Sequence, residues 1–174
     1  METLKAINLR KSVRSYNGEQ IPEETLNIIL AAGAKAPVAS GKYDSLHITV
    51  IQDPDILKEI FDTASDLVFK MINIRKNMDF GAKTLILVSS TPAMMPGVEY
   101  ANAACVLDHM ILAATDQKVD NIIWGGAAAA VAQNESLLKV LEIPEGFKPL
   151  LCASFGYATE MQEPTEHTIT INRI

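Results

Sequence analysis

A chain of 174 residues, 48% hydrophobic and 21% charged, can bury the core of one domain and is too apolar for disorder. Its formal net charge of −6 argues against nucleic acid as the main partner, because gripping a phosphate backbone takes a broad basic surface. No uncharged apolar run reaches the ~18 residues of a membrane helix, and Met1–Lys5 leads into no apolar signal core, so a cytoplasmic protein without a membrane partner is expected.

A short helix is predicted from about Thr3 to Leu9, with Leu4, Ile7 and Leu9 on one face. Arg10-Lys11-Ser12-Val13-Arg14-Ser15-Tyr16 follows, setting three cations and two serines into seven residues of an acidic protein. Guanidinium forks match phosphate oxygens in shape and charge, so the stretch reads either as an anion site or as a solvated helix end. Asn17-Gly18 is a turn, and Ile21-Pro22-Glu23-Glu24 opens a second helix with Leu26, Ile29, Leu30 and Gly33 inward. That helix must stop before Pro37.

The stretch Ala36–Lys42 is a loop by composition, in which Ser40 and Lys42 can hydrogen-bond a polar ligand. Ser45–Ile51 alternates as a strand. Asp53 is the natural N-cap of a helix running through Ile56, Ile60, Ala64 and Leu67 towards Met71. Thr84–Val88 is a continuous apolar run suited to a strand buried on both faces.

Past the breaks at Pro92 and Pro96-Gly97, Val98–Ala114 is the most apolar helix. Its small residues mark it as the central core or dimer helix. Asn121–Trp124 is extended and runs into Gly125-Gly126. Short helices over Ala127–Gln133 and Glu135–Leu141 and a strand over Leu150–Phe155 follow. The tail from Glu160 to Thr165 is polar, and His167–Ile171 alternates as a terminal strand. The order predicts a single α+β domain over 1–174 with a small sheet surrounded by helices.

Sharper chemical signatures are missing. No GxGxxG, phosphate loop, GxSxG, CxxC or HExxH occurs, and His47, His109 and His167 are too dispersed for a zinc site. Cys105 and Cys152 sit in apolar runs and read as buried free thiols. Trp124-Gly125-Gly126 ahead of an alanine-rich helix offers either free backbone N–H groups to a ligand or a turn needing positive φ.

Together these segments resemble the nitroreductase-like flavoprotein family. The likeness rests on Arg10–Tyr16, on Lys35-Ala36-Pro37, and on the central helix with Met110–Ala114. Ile123–Gly126, Leu141–Gly146 and Phe155-Gly156-Tyr157 extend it in the same order and spacing. The resemblance implies a small mixed central sheet and an intertwined homodimer binding FMN at the subunit interface, with the tail from about 160 to 174 on the partner subunit. It implies FMN phosphate and ribityl contacts from Arg10, Lys11, Ser12 and Arg14. It also sets Pro37, Val38 and Ser40 near the flavin, and Trp124, Gly125 and Gly126 near its ring or phosphate.

The activity implied is hydride transfer from NADH or NADPH through flavin N5 to a nitroaromatic, quinone or similar small-molecule electron acceptor. No catalytic side chain is named and no metal is expected, since the protein's part is to orient and tune the flavin. A non-redox flavin-binding or regulatory member of the fold is the alternative, and a flavin-consuming or reductively dehalogenating enzyme is a third reading. Two departures stand out. The family loop commonly reads Ser-x-x-Asn-x-Gln-Pro-Trp after Ala-Pro, whereas this chain has Val38–Ser45 without the asparagine or the Pro-Trp pair. After Gly156-Tyr157 the family often supplies a cation to the phosphate, and here the only later cation is Arg173 beyond a run of acids, which reads either as that phosphate cation or as a solvated terminal residue.

Overall fold

The computed structural model describes residues 2–174. Its elements in chain order are α1 (Thr3–Leu9), α2 (Glu23–Gly33), β1 (Leu46–Ile51), α3 (Pro54–Ile72), β2 (Thr84–Ser90) and α4 (Val98–Asp116). After them come β3 (Asp120–Trp124), α5 (Gly126–Ala132), α6 (Glu135–Val140) and β4 (Lys148–Gly156). The helix starts follow local chemistry. Asp53 Oδ1 accepts from the N–H groups of Asp55 at 2.9 Å and Ile56 at 3.0 Å, with Pro54 at the first position of α3. Asn134 caps α6 in the same way, accepting from Ser136 and Leu137.

The four strands form one sheet in the order β1-β2-β4-β3. All three pairings are antiparallel, which corrects the expected mixed sheet within one chain; the parallel contact is an isolated bridge between Ser12 and Asn121. Successive strand residues face opposite ways, and this splits the interior into two layers. Ile86, Val88, Ala153 and Phe155 pack with α2 and α4. Leu85, Leu87 and Cys152 pack with α3, α5 and α6. Every residue of β2 is buried, as its continuous apolar run predicts. On the first side α2 approaches α4 closely, since a Cβ on Gly33 would stand 2.3 Å from Met110 Cε.

Three further differences from expectation have physical causes. Leu4, Ile7 and Leu9 are 74%, 48% and 39% exposed, and Ala6 is the buried residue of α1, so the apolar face of that helix is uncovered in one chain. Among the described residues His167–Ile171 pairs with no strand, and Ile169 and Ile171 are exposed. Cys152 is buried and free as expected, but Cys105 is free and only half-buried on α4. The histidines take structural or surface places. His47 meets the Phe147 ring edge-on at 6.0 Å, His109 Nδ1 lies 3.1 Å from the Cys105 carbonyl, and His167 is exposed in the tail. No helix among the described residues is long and apolar enough to cross a membrane.

Candidate functional site

The basic stretch leaves α1 in extended backbone. Arg10 ends the helix at φ −61°, ψ 133°, its N–H still donating to Ala6 O at 3.0 Å. The chain then lies along β3, with Ser12 bridging Asn121 and Val13 N–H donating to Asn121 O at 3.0 Å. Alternation in an extended segment sorts its side chains. Val13 is fully buried, and Lys11 Nζ lies 3.3 Å from Asp120 Oδ1. Arg10, Ser12 and Arg14 group together instead, with Arg10 Nη1 donating to Ser12 Oγ at 3.4 Å and Arg14 Nη1 to Ser12 O at 3.5 Å. Both contacts are long and weak. Among the described residues neither guanidinium has a carboxylate partner. Two unneutralised guanidiniums beside a serine hydroxyl, in a chain of net charge −6, form an anion site in chemical terms.

The segment is also tied to the base of the tail. Asn17 N–H donates to Tyr157 O at 2.8 Å, and Thr159 N–H to Ser15 O at 3.1 Å. Asp120 Oδ2 accepts from Ala158 N–H at 3.0 Å. Tyr16 is buried between them, its hydroxyl 3.5 Å from Ser154 O. Burial first, and the Asp120 charge second, push its phenol well above the ordinary range against a smaller opposing pull from Arg14, so it stays protonated.

Trp124-Gly125-Gly126 lies at the other end of β3, where Trp124 is about 10 Å from Asn121 at ~3.3 Å per strand residue. Its side-chain chemistry is used internally. Trp124 Nε1 donates to Ser154 Oγ at 3.1 Å, and the indole stacks on Phe61 at 5.9 Å and meets Phe80 at 5.5 Å. The Cys152 thiol donates to Trp124 O at 2.8 Å and is pushed up to about 12 by burial, which makes it no nucleophile. The glycines serve different ends, and positive φ is neither of them. A Cβ on Gly126 would stand 3.1 Å from the indole ring, whereas one on Gly125 would have no atom within 4 Å. Gly126 makes room for Trp124, and Gly125 leaves open backbone.

The Pro37–Ser40 loop rests on α4. Ala39 N–H donates to Asn102 Oδ1 at 3.0 Å, Tyr43 Oη donates to Ala36 O at 3.1 Å, and Ser40 is left-handed at φ 55°. Ser40 lines a cleft of about 300 Å³ with Lys42, Glu99, Asn102, Met94 and Met95. Lys11 lines another of about 670 Å³ with Lys5, Lys118, Asp120, Ala158 and residues 160–164. The two clefts share no lining residue. In one chain Arg10–Arg14 and Trp124–Gly126 sit at the two ends of β3. The Pro37–Ser40 loop lies apart from them, and Arg173 sits in the exposed tail.

Sequence reasoning passed over Asp120, Ser154 and Asn102. A buried asparagine within an alanine-rich helix was a readable signal for Asn102. Nothing local marked Asp120, whose partners come from both distant ends of the chain.

Comparison with known proteins gives one consistent picture. The profile of the Nitroreductase family matches residues 7–157. A relative from Archaeoglobus fulgidus, named "Putative NADH dehydrogenase/NAD(P)H nitroreductase", is 26% identical over 165 residues, 93% of this chain and 88% of its own length. The crystal structure of an FMN-bound nitroreductase from Bacteroides fragilis superposes with a TM-score of 0.84 at 28% identity, covering 100% of this chain and 97% of that one. The fold is shared equally with an FMN-bound nitroreductase from Desulfitobacterium hafniense, at TM-score 0.87, 24% identity and coverage of 99% and 100%.

Proposed function

The chain belongs to the nitroreductase family, and from that premise we propose that it is an FMN-dependent NAD(P)H oxidoreductase acting on a nitroaromatic, quinone or similar small acceptor. The observation that carries the reading is the side of the basic stretch bearing Arg10, Ser12 and Arg14, where two guanidiniums have no carboxylate partner among the described residues. The residues fit the cofactor. A phosphate needs charge-assisted donors, and a flat ring needs approachable backbone, which Gly125 leaves open at the far end of β3.

Bound FMN supplies the hydride relay between NADH or NADPH and the acceptor at its N5. The protein's own part is binding and orientation. Arg10 and Arg14 hold the phosphate, Ser12 adds a hydroxyl, and Trp124 buttresses the Gly125-Gly126 turn from behind. Pro37, Val38 and Ser40 come to the flavin from a second copy of the chain. Two-fold symmetry lets a loop that lies apart from the basic segment in one protomer complete its partner's site. The uncovered apolar face of α1 fits such a homodimer, and so does the alternating tail. The outer edge of β1 is free to take that tail, whereas β3 already carries the Ser12 bridge. Arg173 would travel with the tail. Two free thiols suit a reducing cytoplasm.

The test is spectral. The purified protein, alone or after incubation with FMN, should show flavin absorbance that bleaches on anaerobic addition of NADH or NADPH. No flavin absorbance would sink the enzyme reading. Yellow protein that neither nucleotide bleaches would favour the flavin-binding regulatory alternative.

A further inference from the structure

Asp120 opens β3, and its side chain touches both ends of the chain at the candidate site. Its Oδ1 lies 3.3 Å from Lys11 Nζ, its Oδ2 accepts from Ala158 N–H at 3.0 Å, and its charge reaches the buried Tyr16 phenol. The next residue, Asn121, bridges Ser12 and accepts from Val13 N–H. Asn121 is itself fixed, because its amide donates to Ile111 O, Thr115 Oγ1 and Val119 O at 3.2, 3.2 and 3.3 Å. The side chains of Lys11 and Asp120 are only 24% and 23% exposed, so their pairing is shielded from water on most sides. An acid beside an anion site is unfavourable by charge alone. Its presence here needs a reason.

Resting on the FMN reading above, we infer that Asp120 is a positioning residue: it holds Lys11 on the face of the extended segment away from the phosphate, and so aims Arg10, Ser12 and Arg14 at it. Lys11 is then a brace, and the phosphate cations are the two arginines. The same carboxylate fixes Ala158, which sets the direction in which the tail leaves the site.

The sign of one substitution separates this from simple electrostatics. Asp120→Asn keeps an oxygen for the Ala158 N–H and removes a negative charge near the anion. On charge alone it should tighten FMN or leave it unchanged. As a brace its loss should weaken FMN roughly tenfold, the size expected when one member of a coupled network is removed. Riboflavin, which lacks the phosphate, should bind as it does to the wild type.

The experiment is a fluorescence titration of the flavin-stripped, full-length protein with FMN and with riboflavin. Wild type, Asp120→Asn, Lys11→Met and the Lys11→Met/Asp120→Asn double variant are compared. Each single variant should weaken FMN alike, and the double variant should be no worse than either. Asp120→Glu, which keeps a carboxylate for Lys11 Nζ and for the Ala158 N–H, should hold affinity to within about threefold of wild type. Asp120→Ser, which keeps an oxygen for that N–H but no charge, should weaken FMN as Asp120→Asn does and covers the case in which Asp120→Asn fails to fold. Tighter or unchanged FMN binding in Asp120→Asn would overturn the inference. Equal weakening of riboflavin would reduce Asp120 to general structure, and an additive double variant would return Lys11 to the phosphate. Failure of the wild type to bind FMN at all would instead strike the proposed function itself.

Discussion

The two ends of β3 differ in what they leave over after folding. At the Asp120–Asn121 end charge is in surplus: Lys11 is consumed by Asp120, but among the described residues Arg10 and Arg14 hydrogen-bond to Ser12 and to no carboxylate. At the Trp124–Gly126 end every side-chain donor is spent. The indole N–H goes to Ser154 and the Cys152 thiol to a backbone carbonyl, which leaves only open backbone at Gly125. One strand thus offers charge at one end and a bare, approachable surface at the other. A ligand with an anionic head and a flat body matches that sequence of surfaces.

The contrast can be broken at either end. The largest effect is expected from Trp124→Ala, which removes a ring stacked on Phe61 and tilted against Phe80 and should cost about 3 kcal/mol in chemical denaturation, the low end for a large aromatic because the indole is half-buried. A midpoint close to wild type would mean the aromatic cluster bears little of the fold. Arg10→Ala should leave the denaturation midpoint nearly unchanged and weaken FMN by ~1.5–3 kcal/mol, the worth of a hydrogen bond to a charged group. Calorimetric titration showing an undiminished affinity would move the phosphate elsewhere.

Finer changes sharpen the comparison. Gly126→Val crowds the indole and should lower stability by about 1–2 kcal/mol, whereas Gly125→Ala meets nothing and should leave the melting temperature unaltered while impairing flavin binding. Loss of stability in Gly125→Ala, or none in Gly126→Val, would reverse the roles given to the pair. The smallest effect concerns alkali. Cys152 is raised from 9.0 to about 12 and Tyr16 is raised also, both chiefly by burial. A raised folded pKa gives stability that is full below the unfolded value and lost as pH climbs towards the folded one. Melting temperature should therefore decline above about pH 9, and Cys152→Ala should shallow that decline, a slope measurable by thermal scans across pH 8 to 11 at roughly half-unit steps.

Much of the fold was legible because its signals are local. The apolar run of β2, the Asp53 cap of α3 and the small-residue density of α4 each name an element from its own residues. Periodicity also put Leu4, Ile7 and Leu9 on one face. It says which residues share a face, however, and not what covers it, so their exposure in a single chain was beyond reach. The direction of strand pairing and the partner of His167–Ile171 are tertiary facts for the same reason. At the site, the excess of cations in Arg10–Arg14 was plain, but the division of labour between Lys11 and the arginines depends on Asp120, far away in the chain. The glycine pair was conspicuous too. Its reason, a ring behind one member and open space before the other, needed the fold.

A phosphate held by Arg10 and Arg14 is tested most directly by the preference of the wild-type protein between FMN and riboflavin, two ligands alike but for that phosphate. Titrated side by side, FMN should bind at least about tenfold tighter, as expected for a charge-assisted contact, and the difference should shrink as salt screens the arginines. Equal affinities at low salt would contradict the account.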